Sequence, residues 1–345
     1  MKEQKSKLTE WVINKIKNEY ADDVALLVAV EGVSVNGDGH GQPFDYFVPA
    51  TERGNELSQT FIIDGVGNDL YPRSWERTRR TADLEDLATL CLGNAKILYS
   101  RSKEDEEKFE KLRERLFENL ANGGFVYKKA LENLDVAMDL YKTMMFEDRD
   151  YKVRALTGFI FHYLSVAVAF LNGTYLISHH GLIPEITNLK NLPEHFAEYY
   201  KAVLAASSTG ELKSLAHLLI SSARQFIAKY KPAESGEKPI PDFTYLADWY
   251  QELRTTWNRI YYHCKTQNAD AAFDDACNLQ NELAIVSEEF SLGEMNLLGC
   301  FDSSDLKPLA QRAEKLENEI TAAIEKHGVT IRRYNSLEEF LAKNP

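Results

Sequence analysis

Two acidic residues, Asp45 in the run FDYFV and Asp69 in GNDLYPRSWER, have the types and setting for metal or acid–base chemistry. Both fall on short predicted strands, and carboxylates on adjacent strands can point into one cleft. Mg²⁺ prefers such a site, because it takes a few carboxylates and completes its shell with waters and substrate phosphates. Before Asp45, after the preceding strand, lies the loop NGDGHGQP, residues 36–43. A glycine-rich turn lets backbone N–H groups approach phosphate oxygens closely. Arg73, Arg77, Arg79 and Arg80 follow Asp69 directly, and guanidinium forks suit phosphate. Each piece also has an ordinary structural reading. Gly37, Gly39 and Gly41 can punctuate a hairpin, Asp45 can face solvent on an edge strand, and Asp69 can be a turn residue after Gly67-Asn68. The arginines can form a solvated helix face. The order of all three features, and no single one, favours chemistry.

Other candidates are weaker. His179 and His180 are adjacent and do not share a helix face, which disfavours a zinc site. None of the four cysteines, Cys91, Cys264, Cys277 and Cys300, forms a CxxC pair, so zinc-ribbon and thioredoxin readings fail. Scattered cysteines are simplest as reduced thiols in a cytoplasmic protein. The opening MKEQKSKLTEW has no apolar core of a secretory signal.

The elements that must position these residues divide the chain in two. In the first third, helix and strand alternate. Leu8–Tyr20 reads as an amphipathic helix, and the β-branched run Val24–Val35 as a strand buried on both faces. Short strands follow at Phe44–Val48, Thr60–Ile63 and Asp69–Tyr71, with a bend at Gly65–Gly67. Next come a helical stretch from Ser74 through Asp86, a strand at Lys96–Tyr99 and a charged surface helix at Lys103–Leu120. Past ANGG (121–124) the patterns are almost wholly helical. They cover Tyr127–Phe146, Lys152–Leu171, Leu192–Ala206, Leu212–Lys229, Pro241–Tyr262, Ala269–Phe290 and Leu306–His327. A tail strand at Val329–Tyr334 and a last helix at Ser336–Leu341 are also expected. KPAESGEKPIP, from Lys231 to Pro241, reads as an exposed connection. The expected class is therefore α+β, a small mixed-sheet domain (1–122) followed by a larger all-helical bundle (123–345).

Composition narrows the function classes. The 345 residues carry 40 Lys+Arg against 53 Asp+Glu, a net charge of -13, so a broad nucleic-acid surface is not expected. Apolar residues make up 44% and charged residues 27%, an ordinary globular profile. The one membrane-like stretch, Ala155–Ile177, contains His162, Asn172 and Gly173, and its apolar residues repeat at helical spacing. It reads as a buried core helix, so no membrane partner is expected.

The window Val28–Tyr71 resembles the nucleotidyltransferase fold of the DNA-polymerase-β superfamily. Within it, the chain is similar to the aminoglycoside and lincosamide nucleotidyltransferases, where a minimal catalytic domain precedes a helical one. Gly32-Val33-Ser34 sits where that family has its Gly-Ser turn, Asp45 near its Asp-x-Asp pair, and Asp69 near its third carboxylate. AKILYSRS fits the strand that closes the family's sheet. Asn172-x-x-Tyr175 and Leu192-Pro193-Glu194 resemble the family's helical region. The resemblance implies Mg²⁺-dependent transfer of an NMP from an NTP to a hydroxyl of a small-molecule acceptor. In that reading Asp45 and Asp69 are the catalytic metal ligands, and Gly32 and Ser34 hold the triphosphate with Arg73 and Arg77 beside it. The acceptor lies against the helical domain, where an acidic surface suits a cationic substrate.

The chain departs from the family pattern in two places. The turn is Gly-Val-Ser, and the positions two before and two after Asp45 are Pro43 and Phe47, neither of which binds metal. One carboxylate is missing unless Asp38 or His40 supplies a ligand. A catalytically inactive nucleotide-binding or protein-interaction module is therefore the alternative. A second alternative is a helical RNase. Arg259 and His263 in WNRIYYHC resemble the Arg-x4-6-His motif of HEPN ribonucleases, with a spacing one residue too short. The oligomeric state is open, and related enzymes can build sites between subunits.

Overall fold

The computed structural model describes residues 2–30, 44–177, 182–232 and 241–344. Gly32, Ser34, Asp38, His40 and the His179–His180 pair lie outside the described residues. The chain divides into two compact units, residues 1–234 and 235–345. The change of character near residue 122 thus falls inside the first unit.

The first unit begins with α1 (Lys2–Glu19), β1 (Val24–Val30), β2 (Tyr46–Pro49), β3 (Gln59–Ile63) and β4 (Val66–Pro72). It continues with α2 (Trp75–Ala82), α3 (Leu90–Gly93), β5 (Ala95–Ser100) and α4 (Lys103–Ala121). The strands form one mixed sheet in the order β3-β4-β2-β1-β5. Only the β2–β4 pair is parallel, with Tyr46 opposite Tyr71. β1 lies inside the sheet, antiparallel to β2 and β5, and all seven of its residues are buried. That explains its unbroken apolar run, because both faces are covered. Leu27, Phe47 and Leu70 face a core with Val12 and Ile16 of α1. Leu26, Val28, Tyr46 and Val48 face the larger helical core.

β3 and β4 form a hairpin whose two turn residues, Asp64 and Gly65, have φ of 50° and 78°. Asp-Gly suits a tight turn that needs positive φ at both central positions. The sequence placed the bend at Gly65–Gly67, whereas Gly67 is already in β4. The helical stretch expected through Asp86 stops at Ala82, and Leu84 just beyond has a φ of 54°. Leu84 is only 3% exposed, so burial offsets a conformation that bulky side chains disfavour. Asp83 then accepts bonds from Arg79 Nη1 and Arg115 Nε, both at 2.7 Å, tying α2 to α4.

The helices α5 (Gly123–Met145), α6 (Asp150–Leu171), α7 (Leu182–Thr187), α8 (Phe196–Ala205) and α9 (Thr209–Ala228) complete the first unit. Their apolar faces share one core with the sheet. α6 is apolar enough to cross a membrane by length and composition, but 61% of its most apolar window is buried inside the fold. It is a core helix, with Phe161 stacked on Tyr200 at 3.6 Å between ring centres.

The second unit contains α10 (Phe243–Lys265), α11 (Ala269–Glu289), α12 (Lys307–Lys326) and the short α13 (Leu337–Lys343). The first three enclose a separate core around Trp257, Leu279 and Leu316. The strand expected at Val329–Tyr334 does not form. Those residues are irregular, and among the described residues of this unit there is no strand for them to pair with. The architecture is α+β, a small mixed sheet followed by helices.

Candidate functional site

Asp45 sits immediately before β2, its N–H donating to the Val28 carbonyl at 2.8 Å. Its carboxylate is half-buried and turned toward β4 and α3. Oδ2 accepts from the Tyr71 hydroxyl at 3.2 Å and from the Cys91 thiol at 3.8 Å. α3 is held there by Tyr46, whose hydroxyl donates to the Cys91 carbonyl at 2.6 Å. Burial pushes the Asp45 carboxyl above its ordinary value, against the lowering effects of these two bonds and of Arg73. The charge of Asp69 adds to the rise. Burial also raises the Tyr71 phenol and pushes the Cys91 thiol up to about 11, so both remain protonated donors at neutral pH.

Asp69 lies two residues before Tyr71 on β4. Alternation along a strand therefore puts it on the same sheet face as the Tyr71 side chain that reaches Asp45. Unlike Asp45 it is exposed, and its Oδ1 accepts from Thr60 Oγ1 at 3.0 Å across the hairpin. The two expected carboxylates thus come from neighbouring parallel strands and feel each other's charge.

The four arginines after Asp69 separate into two kinds. Arg77, Arg79 and Arg80 are solvated and paired with acidic neighbours, Arg77 with Asp86 at 2.7 Å and Arg79 with Glu76 and Asp83. Arg73 is 1% exposed. Its backbone N–H extends the strand pairing to the Phe47 carbonyl at 2.8 Å. Its guanidinium lies 5.7 Å from the Tyr46 ring centre, donates to Thr81 Oγ1 and sits 3.4 Å from Asp86. Nε and Nη1 have no hydrogen-bond partner among the described residues. Burial works to raise Asp86, but the Arg77 bond, the Ala88 N–H and the Arg73 charge outweigh it and hold that carboxyl below its ordinary value. Arg73 is thus a fixed positive charge beneath the carboxylate pair rather than a surface contact.

Sequence reasoning named Asp45, Asp69, Arg73 and Arg77 as candidates. It missed Tyr71 and Cys91, which touch Asp45, and Asp86, which anchors both arginines. No spacing rule brings Cys91 to Asp45, because α3 is a single short turn placed by tertiary packing. Asn172, Tyr175 and Glu194 have structural partners. Asn172 exchanges two 2.9 Å bonds with the backbone of Asn191, Tyr175 donates to Asn94 at 2.7 Å, and the Glu194 carbonyl accepts from Ser222 at 2.5 Å. In the second unit, Arg259 lies 2.9 Å and His263 3.6 Å from the nearly buried carboxylate of Asp275. That cluster holds α10 to α11.

Among the described residues, no group of three or more His, Cys, Asp or Glu side chains is placed to hold a metal ion. Two carboxylates are fewer than a two-metal site takes.

No protein-family model and no curated protein matches the chain. Among solved structures it is similar to a crystal structure of a nucleotidyltransferase-like protein from Exiguobacterium sibiricum 255-15. The two share 12% identity with a TM-score of 0.35 over 64% of this chain and 74% of that one. A likeness at that level carries no weight for the chemistry, which rests on this chain's own residues.

Proposed function

We propose that this chain is a nucleotidyltransferase-like protein whose sheet site binds a nucleoside triphosphate and transfers its NMP to a hydroxyl of a small molecule, with pyrophosphate leaving as the Pα–O–Pβ bond breaks and the hydroxyl proton passing to solvent. The observation that carries the reading is the placement of Asp45, immediately before β2, close enough to Asp69 on the parallel strand β4 for the Asp69 charge to raise its carboxyl. In this reading the two carboxylates hold one Mg²⁺, which when bound neutralises phosphate charge. Arg73 supplies a further, buried positive charge that acts on Asp45. The Tyr71 hydroxyl and Cys91 thiol orient Asp45, and Gly32 and Ser34 would face the triphosphate.

A second reading is a nucleotide-binding module without catalysis. Two observations favour it. Asp45 Oδ2 is already engaged by Tyr71 and Cys91, and the carboxyl has a raised pKa. A carboxyl that resists ionisation and has its donors in place is a poor metal ligand.

Calorimetric titration of ATP and GTP tests both, with Mg²⁺ and with EDTA, on wild type and on the Asp45→Asn/Asp69→Asn double variant. Mg²⁺-dependent binding lost in the double variant supports the first reading, and NMP transfer across a panel of hydroxyl acceptors then follows. Binding that ignores Mg²⁺ and survives the double substitution supports the second. No nucleotide binding under any condition overturns both.

A further inference from the structure

The helical second unit holds its own polar cleft of about 830 Å³, lined by α10, α12 and the chain just beyond α12. Tyr250, Arg254 and Tyr261 lie four and seven residues apart on α10, which places them along one helix face. Glu317 of α12 meets them from across the cleft, with its side chain 13% exposed. Oε1 accepts from the Tyr250 hydroxyl at 2.6 Å, and Oε2 accepts from the Tyr261 hydroxyl at 2.7 Å. Burial, and then the bond to Glu317, raise both phenols, so they remain protonated donors and fix the carboxylate from both sides. Glu317 is therefore spent on internal bonds.

The cations of the cleft are less fully used. Arg254 lies 3.4 Å from Glu317 Oε1, yet its Nη1 is buried without a hydrogen bond. Arg333, on the tail, is exposed. Its guanidinium lies 5.9 Å from the Tyr250 ring centre and makes one long 3.5 Å bond to the Tyr250 hydroxyl. Among the described residues it has no acidic partner. Its neighbour Arg332 differs, being bound by Asp248 and by Gln251 Oε1. Two guanidiniums thus act on Tyr250, Arg333 by its long bond to the hydroxyl and Arg254 from its place beside Glu317 Oε1, over a floor that the Tyr–Glu–Tyr bonds hold in place. Glu314 also lines the cleft and acts electrostatically on Tyr261, so the excess positive charge, Arg254 and Arg333 against the one Glu317 carboxylate, lies at the Tyr250 end.

We infer that this end of the cleft is an oxyanion site, taking the phosphate group of a small molecule between Arg254 and Arg333. Guanidinium forks match the paired oxygens of phosphate, and a donor already desolvated and unsatisfied gains most from an anionic acceptor. The site is independent of the sheet carboxylates and needs no metal.

The test is calorimetric titration of inorganic pyrophosphate into the full chain in EDTA. Wild type is expected to bind, and Arg333→Ala to weaken binding at least about tenfold, since a lost charge-assisted bond is worth that much. Arg333→Lys should recover part of the loss. Because Arg333 is exposed on the tail, its variants should keep the wild-type melting profile. The Asp45→Asn/Asp69→Asn variant should bind as wild type does, which separates this site from the sheet site. The inference is overturned if wild type does not bind. It is equally overturned if Arg333→Ala binds as tightly as wild type, or if the loss appears only in the sheet-site variant.

Discussion

Replacing Gly54 by alanine would put a methyl carbon 2.2 Å from the carbonyl oxygen of Asp23, 3.1 Å from its carbonyl carbon and 3.2 Å from Cβ of Pro49. Two of the three atoms are backbone and the third is bonded directly to it, so no flexible side-chain tip can simply swing away. Restoring an ordinary carbon–oxygen separation requires the turn or the carbonyl to retreat by about 1 Å. That carbonyl accepts the Ala50 N–H at 2.7 Å, and so fixes the end of β2 against the start of β1. The Asp23 side chain reinforces the joint, accepting from Thr51 Oγ1 at 2.5 Å and Arg53 Nη1 at 2.6 Å. Overpacking costs about 1–3 kcal/mol, and a weakened backbone bond about 1 kcal/mol more. The lower entropy of the unfolded alanine chain returns about 0.4–1 kcal/mol. The net loss is about 2–3 kcal/mol, or about 4–12 °C in the melting temperature of a unit this size. Gly67→Ala is the matched control. Gly67 lies on exposed β4 with nothing within 4 Å of an added methyl, and alanine there should be neutral or gain up to about 1 kcal/mol. Urea and thermal unfolding of both variants, followed by circular dichroism, decide the matter. A Gly54→Ala protein within about 0.5 kcal/mol of wild type, or a Gly67→Ala protein that loses as much, would refute the steric reasoning.

Three further outcomes follow from the site. Because burial raises the Asp45 carboxyl in the folded state, the folded chain holds that proton when the unfolded chain has released it. The Asp45 contribution to stability is therefore lost as pH rises from the unfolded value through the folded one. Asp45→Asn keeps an acceptor for Tyr71 and Cys91, so its urea midpoint at about pH 7 should equal or exceed that of wild type, with a smaller fall from about pH 4. A lower midpoint than wild type at neutral pH would contradict this. The buried Cys91 thiol, with its pKa near 11, should react with iodoacetamide well after the partly exposed Cys277 at mildly alkaline pH, as peptide mass mapping would show. Asp83→Ala removes two arginine bonds, one to Arg79 of α2 and one across to Arg115 of α4. It should cost about 1–2 kcal/mol in urea unfolding, a modest loss because both guanidiniums are half-exposed and can return to water.

The sequence was most readable where local chemistry decides structure. The apolar run of β1 announces a strand covered on both faces, and Ser102 caps α4 where the pattern predicts that helix, whereas the Asn122 cap starts α5 at Gly123, four residues before the expected Tyr127. Asp45 and Asp69 could be named because each stands out on a short β-pattern. Their relation could not be read, because it depends on β2 pairing with β4 rather than with its chain neighbour β3. Tyr71, Cys91 and Asp86 were hidden for the same reason. The periodicity of Ser74–Asp86 could not reveal that Leu84 would leave the helix to fill a core position, nor could that of Val329–Tyr334 reveal the lack of a partner strand.

The position of β1 inside the sheet has a kinetic meaning. Its partners are the nearby β2 and the distant β5, with Leu26 opposite Ser100. No two-stranded fragment made early can bury both faces of β1, so that strand waits for chain far downstream. The bundle of α10, α11 and α12 asks for no such wait, because neighbouring helices join through short or moderate connections. Chains rich in local contacts fold faster than those that must close long loops. During refolding the Trp249 and Trp257 environments should therefore settle before those of Trp11 and Trp75. Until they do, the long apolar run of β1 is the part of the nascent chain with most to gain from a chaperone.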